Sequence, residues 1–454
     1  MNNSSRRTFI AGAALALPLA NAAVGQEQQR RFSPTDKIRV ATIGLGIMGN
    51  KDSVTARKVP GVELVAACDL YSGRLEAAKE KYGKDLATTR DYREILDRSD
   101  IDAVIVATCD KWHAAITTEA LKKGKAVYCE KPVVKEISEG LNVVQTQQRT
   151  GGVMQVGSQW VSSLAFQKAR DQYRAGAIGK LNCIAASYDR QSALGAWEYT
   201  MPLDASPETV DWDRYIAGGP KIPYDNKKFF WWRNYREFGT GVAGDLFVHL
   251  LSGVHLVTGS KGPTRIYASG ELAYWKDGRN VPDVLTAIMD YPDTPEHPAF
   301  QLTLRVDFAS GNGEKALTQF VGSDGIMEMG FRGFSVYPNI MSKAPGIGGW
   351  DALDTYPKAM QAELVKRYNE KYSKADQEAP SRPPIKFELP ESYDEHLVHM
   401  TNFFDAIRGK ATLNEDARFG FRAAAPSIAC NKSYFDKKII NWDPMNMELA
   451  PKRA

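Results

Sequence analysis

The stretch Ile38-Arg39-Val40-Ala41-Thr42-Ile43-Gly44-Leu45-Gly46-Ile47-Met48-Gly49 decides how the first third of this 454-residue chain is read. A short β-rich run enters a G-x-G-x-x-G loop, and a helix-like stretch follows. Gly44 permits the tight turn out of the strand, Gly46 lets a pyrophosphate approach the backbone, and Gly49 lets the helix pack closely on the strand. Leu45, Ile47 and Met48 complete the loop, and the helix amides beyond it face phosphate oxygens. Asp69 closes the next apolar run, where its carboxylate would accept the hydroxyls of an adenosine ribose and repel a 2′-phosphate. The expectation is a dinucleotide, NAD favoured over NADP, with Arg74 placed to receive a phosphate if the loop folded back.

Outward from this loop, the apolar runs Val62–Cys68, 103–108 and Ala126–Cys129 alternate with helix-like stretches at Ser72–Tyr82 and 113–123. Continuous apolar strands separated by helices predict a parallel sheet covered on both faces, a Rossmann domain over residues 37–152. Ligands of such sheets bind beyond the carboxyl ends of the strands, which brings Thr108, Trp112, His113, Glu130 and Lys131 to the cofactor side. From about residue 152 the runs lengthen and alternate, at Leu181–Asp189, 265–273, 285–291 and 300–308. They predict an α+β domain over 153–454 on a large, mainly antiparallel open sheet, one face packed and the other free or paired with a second subunit. Residues 342–390 read as a surface insertion with one helix near 358–372, and 394–408 as an amphipathic helix closed by Gly409.

Two segments carry candidate chemistry. In Glu130-Lys131-Pro132 the proline keeps Lys131 off any helix, beyond the end of a strand. In Gly239-Thr240-Gly241-Val242-Ala243-Gly244-Asp245-Leu246-Phe247-Val248-His249, the i, i+4 spacing puts Asp245 and His249 on one face of an apolar helix. Ionisable groups there are costly to bury without partners, which marks a candidate site. An N-capping aspartate and a core histidine satisfied by a backbone carbonyl fit the same spacing. Aromatic rings beside arginine suit a sugar, whose C–H faces stack while its hydroxyls need polar partners. On that ground Trp232, Arg233 and Arg236, with Trp160 and Tyr188, are the substrate candidates. His255, His297, His396 and His399 are scattered and read as structural; no group of ligand residues has metal spacing, so no metal is expected.

The first residues differ from the rest. Arg6-Arg7, a short apolar run from Ala11 to Leu19 and Ala20-Asn21-Ala22 form a cleavable export signal of the twin-arginine type over residues 1–22, too short for a membrane anchor. A polar arm follows at 23–36. The expected location is periplasmic or secreted, after handling by the twin-arginine machinery. Removing residues 1–22 deletes two arginines and no acid, so the formal net charge falls from +4 to +2, which makes no case for nucleic acid. The five cysteines are far apart and mostly inside apolar runs, so buried free thiols are expected rather than a disulfide framework.

Taken together, the Gly44 to Gly49 fingerprint, Glu130-Lys131-Pro132, the Asp-x-x-x-His segment at 239–249, Phe320-Val321-Gly322-Ser323-Asp324-Gly325 and Asn402-Phe403-Phe404-Asp405-Ala406-Ile407-Arg408 resemble the glucose-fructose oxidoreductase / inositol dehydrogenase (Gfo/Idh/MocA) family in order and spacing. The resemblance covers essentially the whole chain after the signal. It implies that Lys131, Asp245 and His249 lie over the nicotinamide, and that the segment of Tyr224, Trp231, Trp232, Arg233, Tyr235 and Arg236 borders a sugar. His249 would move the hydroxyl proton, Asp245 would orient that histidine, and Lys131 would hold the reacting oxygen. It further implies a homo-oligomer, dimer or tetramer, and, with export, a tightly held cofactor. Three functions share this framework: a sugar oxidoreductase, a glycosidase that oxidises its sugar transiently, and a non-catalytic sugar-binding protein.

Overall fold

The computed structural model describes residues 36–451. The export signal expected at 1–22, and all of the arm but its last residue, lie outside the described residues.

The first sheet contains β1 (Ile38–Ile43), β2 (Val62–Cys68), β3 (Ala87–Thr89), β4 (Ala103–Val106), β5 (Ala126–Cys129) and β6 (Met154–Val156). They pair in the order β3-β2-β1-β4-β5-β6, all parallel. The intervening helices are α1 (Ile47–Ala56), α2 (Ser72–Tyr82), α3 (Tyr92–Asp97), α4 (Asp110–Lys122) and α5 (Ile137–Thr150). This is the doubly wound dinucleotide-binding order, whose reversal between β1 and β4 opens a crevice beyond the strands' carboxyl ends. Every residue of β4 and β5 is buried, as a sheet covered on both faces requires. The loop glycines act as their spacing implies: a Cβ on Gly49 would stand 1.8 Å from the carbonyl oxygen of Gly44, so no other residue lets α1 begin this close to β1. The sheet runs on to β6, just past residue 152, because Val127 and Cys129 of β5 still have open backbone groups for a sixth strand.

After α6 (Leu164–Arg174) comes the second sheet, entered by β7 (Leu181–Asp189). Helices α7 (Trp212–Ile216), α8 (Asn226–Phe230) and α9 (Val248–Thr258) precede β8 (Arg265–Glu271), β9 (Val284–Tyr291), β10 (Phe300–Asp307), β11 (Lys315–Gly322), β12 (Gly325–Met329) and β13 (Gly333–Pro338). Residues 342–384 then make the expected excursion, with α10 (Lys358–Lys371) and α11 (Lys374–Gln377), before β14 (Ile385–Glu388) rejoins the sheet beside β13. The chain closes with α12 (Glu395–Ile407), α13 (Ala417–Asp436), β15 (Ile440–Asp443) and β16 (Glu448–Leu449). The ten strands are ordered β14-β13-β12-β11-β7-β10-β9-β8-β15-β16, and only β7 and β10 pair in parallel.

Period-two burial sets the sheet's two faces. Ile266, Ala268, Leu285, Ala287, Met289, Leu302, Leu304 and Val306 are buried in one core with residues of α9 and α13. Tyr267 and Ile288 stand on the open face. The C-terminal helices also serve the first sheet: Met400, Phe403 and Phe404 of α12 pack with Ile38 and Val40 of β1 and Tyr128 of β5. All five cysteines are free; four are buried and Cys183 is exposed. No helix among the described residues is long and apolar enough to cross a membrane.

Candidate functional site

At the switch between β1 and β4 the crevice encloses about 440 Å³. Gly44, Gly46, Ile47, Asp69, Arg74, Thr108 and Trp112 line it, together with Trp232 and Arg233 from the second half. Asp69 organises the mouth. Its Oδ2 accepts the Leu45 N–H at 2.7 Å, its Oδ1 accepts the Tyr71 N–H at 2.9 Å, and Arg74 stands 3.4 Å away. Glycine turn, helix N-terminus and buried terminal acid together make a cradle that fits a dinucleotide.

Not every expected cofactor residue faces this crevice. Leu45 turns its side chain into a small core with Ala67, Ala78 and Leu86, so only its backbone serves the loop. Gly49 is a packing glycine, and Met48 is half-buried outside the lining residues. His113 is buried, with ring nitrogens 2.8 Å from the Pro132 carbonyl and 3.2 Å from that of Thr108, so it fastens the ends of β4 and β5 together. Glu130 is buried beside Gly157 and accepts from Gln159; burial, then the nearby Asp52, pushes its carboxyl up to about 8.

Lys131 does reach the centre. Its Nζ donates to Asp245 twice, at 2.9 Å to the carboxylate Oδ1 and at 2.9 Å to the backbone carbonyl, and its side chain is 9% exposed. Asp245 lies within a π-helical turn, Ala243–Phe247, that runs directly into α9. Such widened turns recur at functional sites, and here the turn presents both oxygens of Asp245 to one lysine. The position is inside the helix, which removes the N-cap reading. Arg233 Nε donates to the same Oδ1 at 3.1 Å while its guanidinium lies 4.2 Å from the Trp232 ring centroid. Burial alone would raise the Asp245 carboxyl, but Lys131 and Arg233 overcome it and hold the group well below the usual carboxylate range.

His249 is partly exposed, and its Nδ1 has no hydrogen-bond partner among the described residues. It is therefore not a core histidine tied to a carbonyl. Neither is it oriented by a hydrogen bond to Asp245, as the resemblance implied: the Asp245 Oδ1 accepts from Lys131 and Arg233, and no bond joins it to His249 among the described residues. Burial, and then the Lys131 charge, keep the imidazole neutral well below its ordinary range. Its ring centroid is 5.1 Å from Trp160, which stacks on Tyr188 at 6.0 Å with an interplanar angle of 6°. Phe331 closes this aromatic wall edge-on to both rings.

Arg236 is the substrate candidate the fold removes. A 3-10 turn at Trp232–Asn234 followed by extended Tyr235 carries it away from Arg233. Its guanidinium lies over Phe435 at 3.5 Å and lines a separate cavity of about 580 Å³ with Lys135 and Asn431. Tyr235 is buried, Trp231 donates to the Tyr199 carbonyl, and Tyr224 packs edge-on to Trp212, so these three shape the crevice wall from behind. The other four histidines sit in structural bonds: His255 with Tyr291, His297 with the Pro298 carbonyl, His396 with Asp52, and His399 with Ser162 and the Val156 carbonyl.

Sequence reasoning missed Arg190, Tyr199 and Phe331. Arg190 directly follows β7, two residues beyond Tyr188, and its guanidinium lies 5.3 Å from the Tyr188 ring. That i, i+2 relation to a chosen aromatic was the available signal. Phe331 sits in the β12–β13 turn, which carries no pattern of its own.

Comparison with known proteins places the nucleotide-binding half. Residues 38–158 match the Gfo/Idh/MocA oxidoreductase family, NAD-binding Rossmann fold. Inositol 2-dehydrogenase of Salmonella typhimurium is 29% identical over 145 residues, 32% of this chain and 43% of that protein. A glycosyl hydrolase family 109 protein of Shewanella baltica is 34% identical over 179 residues, 33% of this chain and 38% of that protein. Such matches span less than half the length of these curated relatives. In solved structures the fold extends further: levoglucosan dehydrogenase, in complex with NADH and levoglucosan, superposes with a TM-score of 0.62 at 17% identity, covering 89% of this chain and 99% of that one.

Proposed function

We propose that this chain, whose residues 38–158 match the Gfo/Idh/MocA oxidoreductase family, NAD-binding Rossmann fold, oxidises or reduces a secondary carbinol of a sugar or polyol with a tightly held nicotinamide dinucleotide. One observation carries the reading. Crevice-lining Arg233 is bonded to Asp245, Asp245 to Lys131, and the neutral His249 stands one helical turn on, so the reactive groups adjoin the dinucleotide cradle.

The dinucleotide would lie along Gly44, Gly46 and Ile47 with its adenosine end at Asp69 and Arg74, and when bound it supplies the hydride acceptor or donor. The carboxylate at Asp69 favours NAD over NADP. His249 takes the hydroxyl proton in the oxidative direction and returns it in the reductive one. Its neutral form is the one able to accept. Lys131 Nζ donates to the substrate oxygen as negative charge develops on it. Asp245 fixes Lys131 through two acceptors, so its part is positioning the lysine rather than the histidine. The stacked rings of Trp160 and Tyr188 give the sugar an apolar border beside His249.

The Shewanella match supports a second reading. The same groups would oxidise a glycoside, let the aglycone leave by elimination from the acidified neighbouring carbon, add water and reduce the sugar back. In both readings the protein is exported and assembles as a homo-oligomer. The test is the spectrum of the purified protein at the reduced-nicotinamide band, with sugars, polyols and aryl glycosides added in turn. Reduction by sugars supports the first reading and phenol release the second. Near wild-type turnover in His249→Ala and Lys131→Ala, with cofactor binding intact, would remove both.

A further inference from the structure

The charges around the reactive centre do not balance. Lys131, Arg233 and Arg190 face it with two carboxyl groups: Asp245, whose Oδ1 is shared by the first two, and the buried Asp110, which accepts from Thr240 and acts on Arg233. Arg190 makes no ion pair among the described residues: its Nη1 donates to the Gly195 carbonyl at 2.7 Å, and its guanidinium lies over the rings of Tyr188 and Phe308. The acid on the neighbouring strand entry, Glu314, is exposed, accepts from Ser192 at 2.7 Å and feels the Arg190 charge only through space, without an ion pair. His249 and Tyr199 border the same space without charge to offer, the first a neutral imidazole and the second a half-buried phenol. Arg190 thus flanks the wall of Tyr188 and Trp160 that ends at His249.

A neutral sugar seated on that wall would leave an excess of positive charge in a partly desolvated site, to which an oxidised nicotinamide adds more. A planar guanidinium backed by an aromatic ring is built to receive an oxyanion through two parallel hydrogen bonds. We propose that the substrate is a sugar bearing an anionic substituent, a carboxylate, sulfate or phosphate, and that Arg190 receives it. This rests on the sugar-oxidoreductase reading above.

The experiment compares kcat/KM for cofactor reduction on matched sugars: glucose with glucuronate, galactose with galacturonate, and glucose with its 6-sulfate and 6-phosphate. Wild type, Arg190→Met and Arg190→Lys are run side by side. A charge-assisted contact predicts that one anionic class exceeds its neutral partner by about ten- to a hundredfold. That ratio falls toward one in Arg190→Met, is partly kept in Arg190→Lys, and the leading arm identifies the oxyanion. Parity in wild type, or a preference that survives Arg190→Met, overturns the proposal. If no sugar reduces the cofactor, the oxidoreductase reading fails on its own, and calorimetry decides the proposal. Tighter binding of an anionic sugar that Arg190→Met abolishes sustains it, and equal or absent binding overturns it.

Discussion

Replacing Asp245 by asparagine keeps its shape and removes its charge, leaving Lys131 and Arg233 bonded to a neutral amide inside the protein. The Asp245 side chain is 6% exposed and that of Lys131 9%, so solvent does little to replace the lost charge. Removing one partner of a buried ion pair costs about 3–5 kcal/mol. At roughly 2.1 cal/mol/K of unfolding entropy per residue, a chain of this size loses about 1 °C of Tm per kcal/mol, so a fall of about 3–5 °C is expected. Activity should fall further than stability, by about 10²–10³ in kcat, because Lys131 loses the acceptors that aim it. Since Lys131 and Arg233 hold the carboxyl far below its unfolded value, the stability it contributes is present above that value and lost only as pH falls through the acid range. The deficit of Asp245→Asn should therefore be flat from pH 5 to pH 9. Adding Lys131→Met to the same chain should restore part of the Tm, since removing both partners of a buried pair is far milder than removing one, while turnover stays lost. Differential scanning calorimetry of the wild type, both single variants and the double variant measures the coupling. An unchanged Tm in Asp245→Asn, or simple additivity in the double variant, would refute the account.

Other outcomes follow from the same geometry. Because burial and Lys131 depress the His249 imidazole, its base form persists through neutrality, so the acid limb of kcat/KM for oxidation should lie well below pH 6.5; a limb centred at pH 7 that disappears in His249→Ala counts against this. Glu130, raised to about 8 by burial, keeps a proton that the unfolded chain releases near pH 4.3, so stability should fall as pH rises between those values, by up to about 1.4 kcal/mol per pH unit. Glu130→Gln should remove that component, seen as a shallower pH dependence in urea unfolding, whereas identical slopes would show that Glu130 ionises freely. Asp69→Ala should narrow the preference for NAD over NADP by about tenfold or more in Kd; an unaltered ratio would assign the discrimination elsewhere.

The fold was legible because its decisive features are local. Ile38 to Gly49 states a strand, a turn and a helix start within twelve residues, and the fully apolar β4 and β5 admit few other readings. Strands β3 and β6 were not legible, since three residues show no period and hydrogen bonding from neighbours defines them. The site was legible in identity but not in wiring. Spacing joined Asp245 to His249, yet the partners it found, Lys131 and Arg233, come from other segments, and the π-helical turn that presents them has no sequence signature. Arg233 and Arg236, three residues apart, looked equivalent; one short turn sends them to different cavities. Arg190 stayed hidden because an arginine after a strand is ordinarily a solvated end, and only its place over Tyr188 distinguishes it.

The packing of α12 beneath β1 bears on how the polypeptide is made. β1 leaves the ribosome well before Met400, Phe403 and Phe404, which cover one side of it. At about 5–20 residues per second, the nucleotide sheet waits on the order of tens of seconds with that side open before its cover emerges. The nucleotide sheet is thus translated well before the helix that seals it. A version ended after β6 should be recovered mainly as aggregate, however complete its sheet.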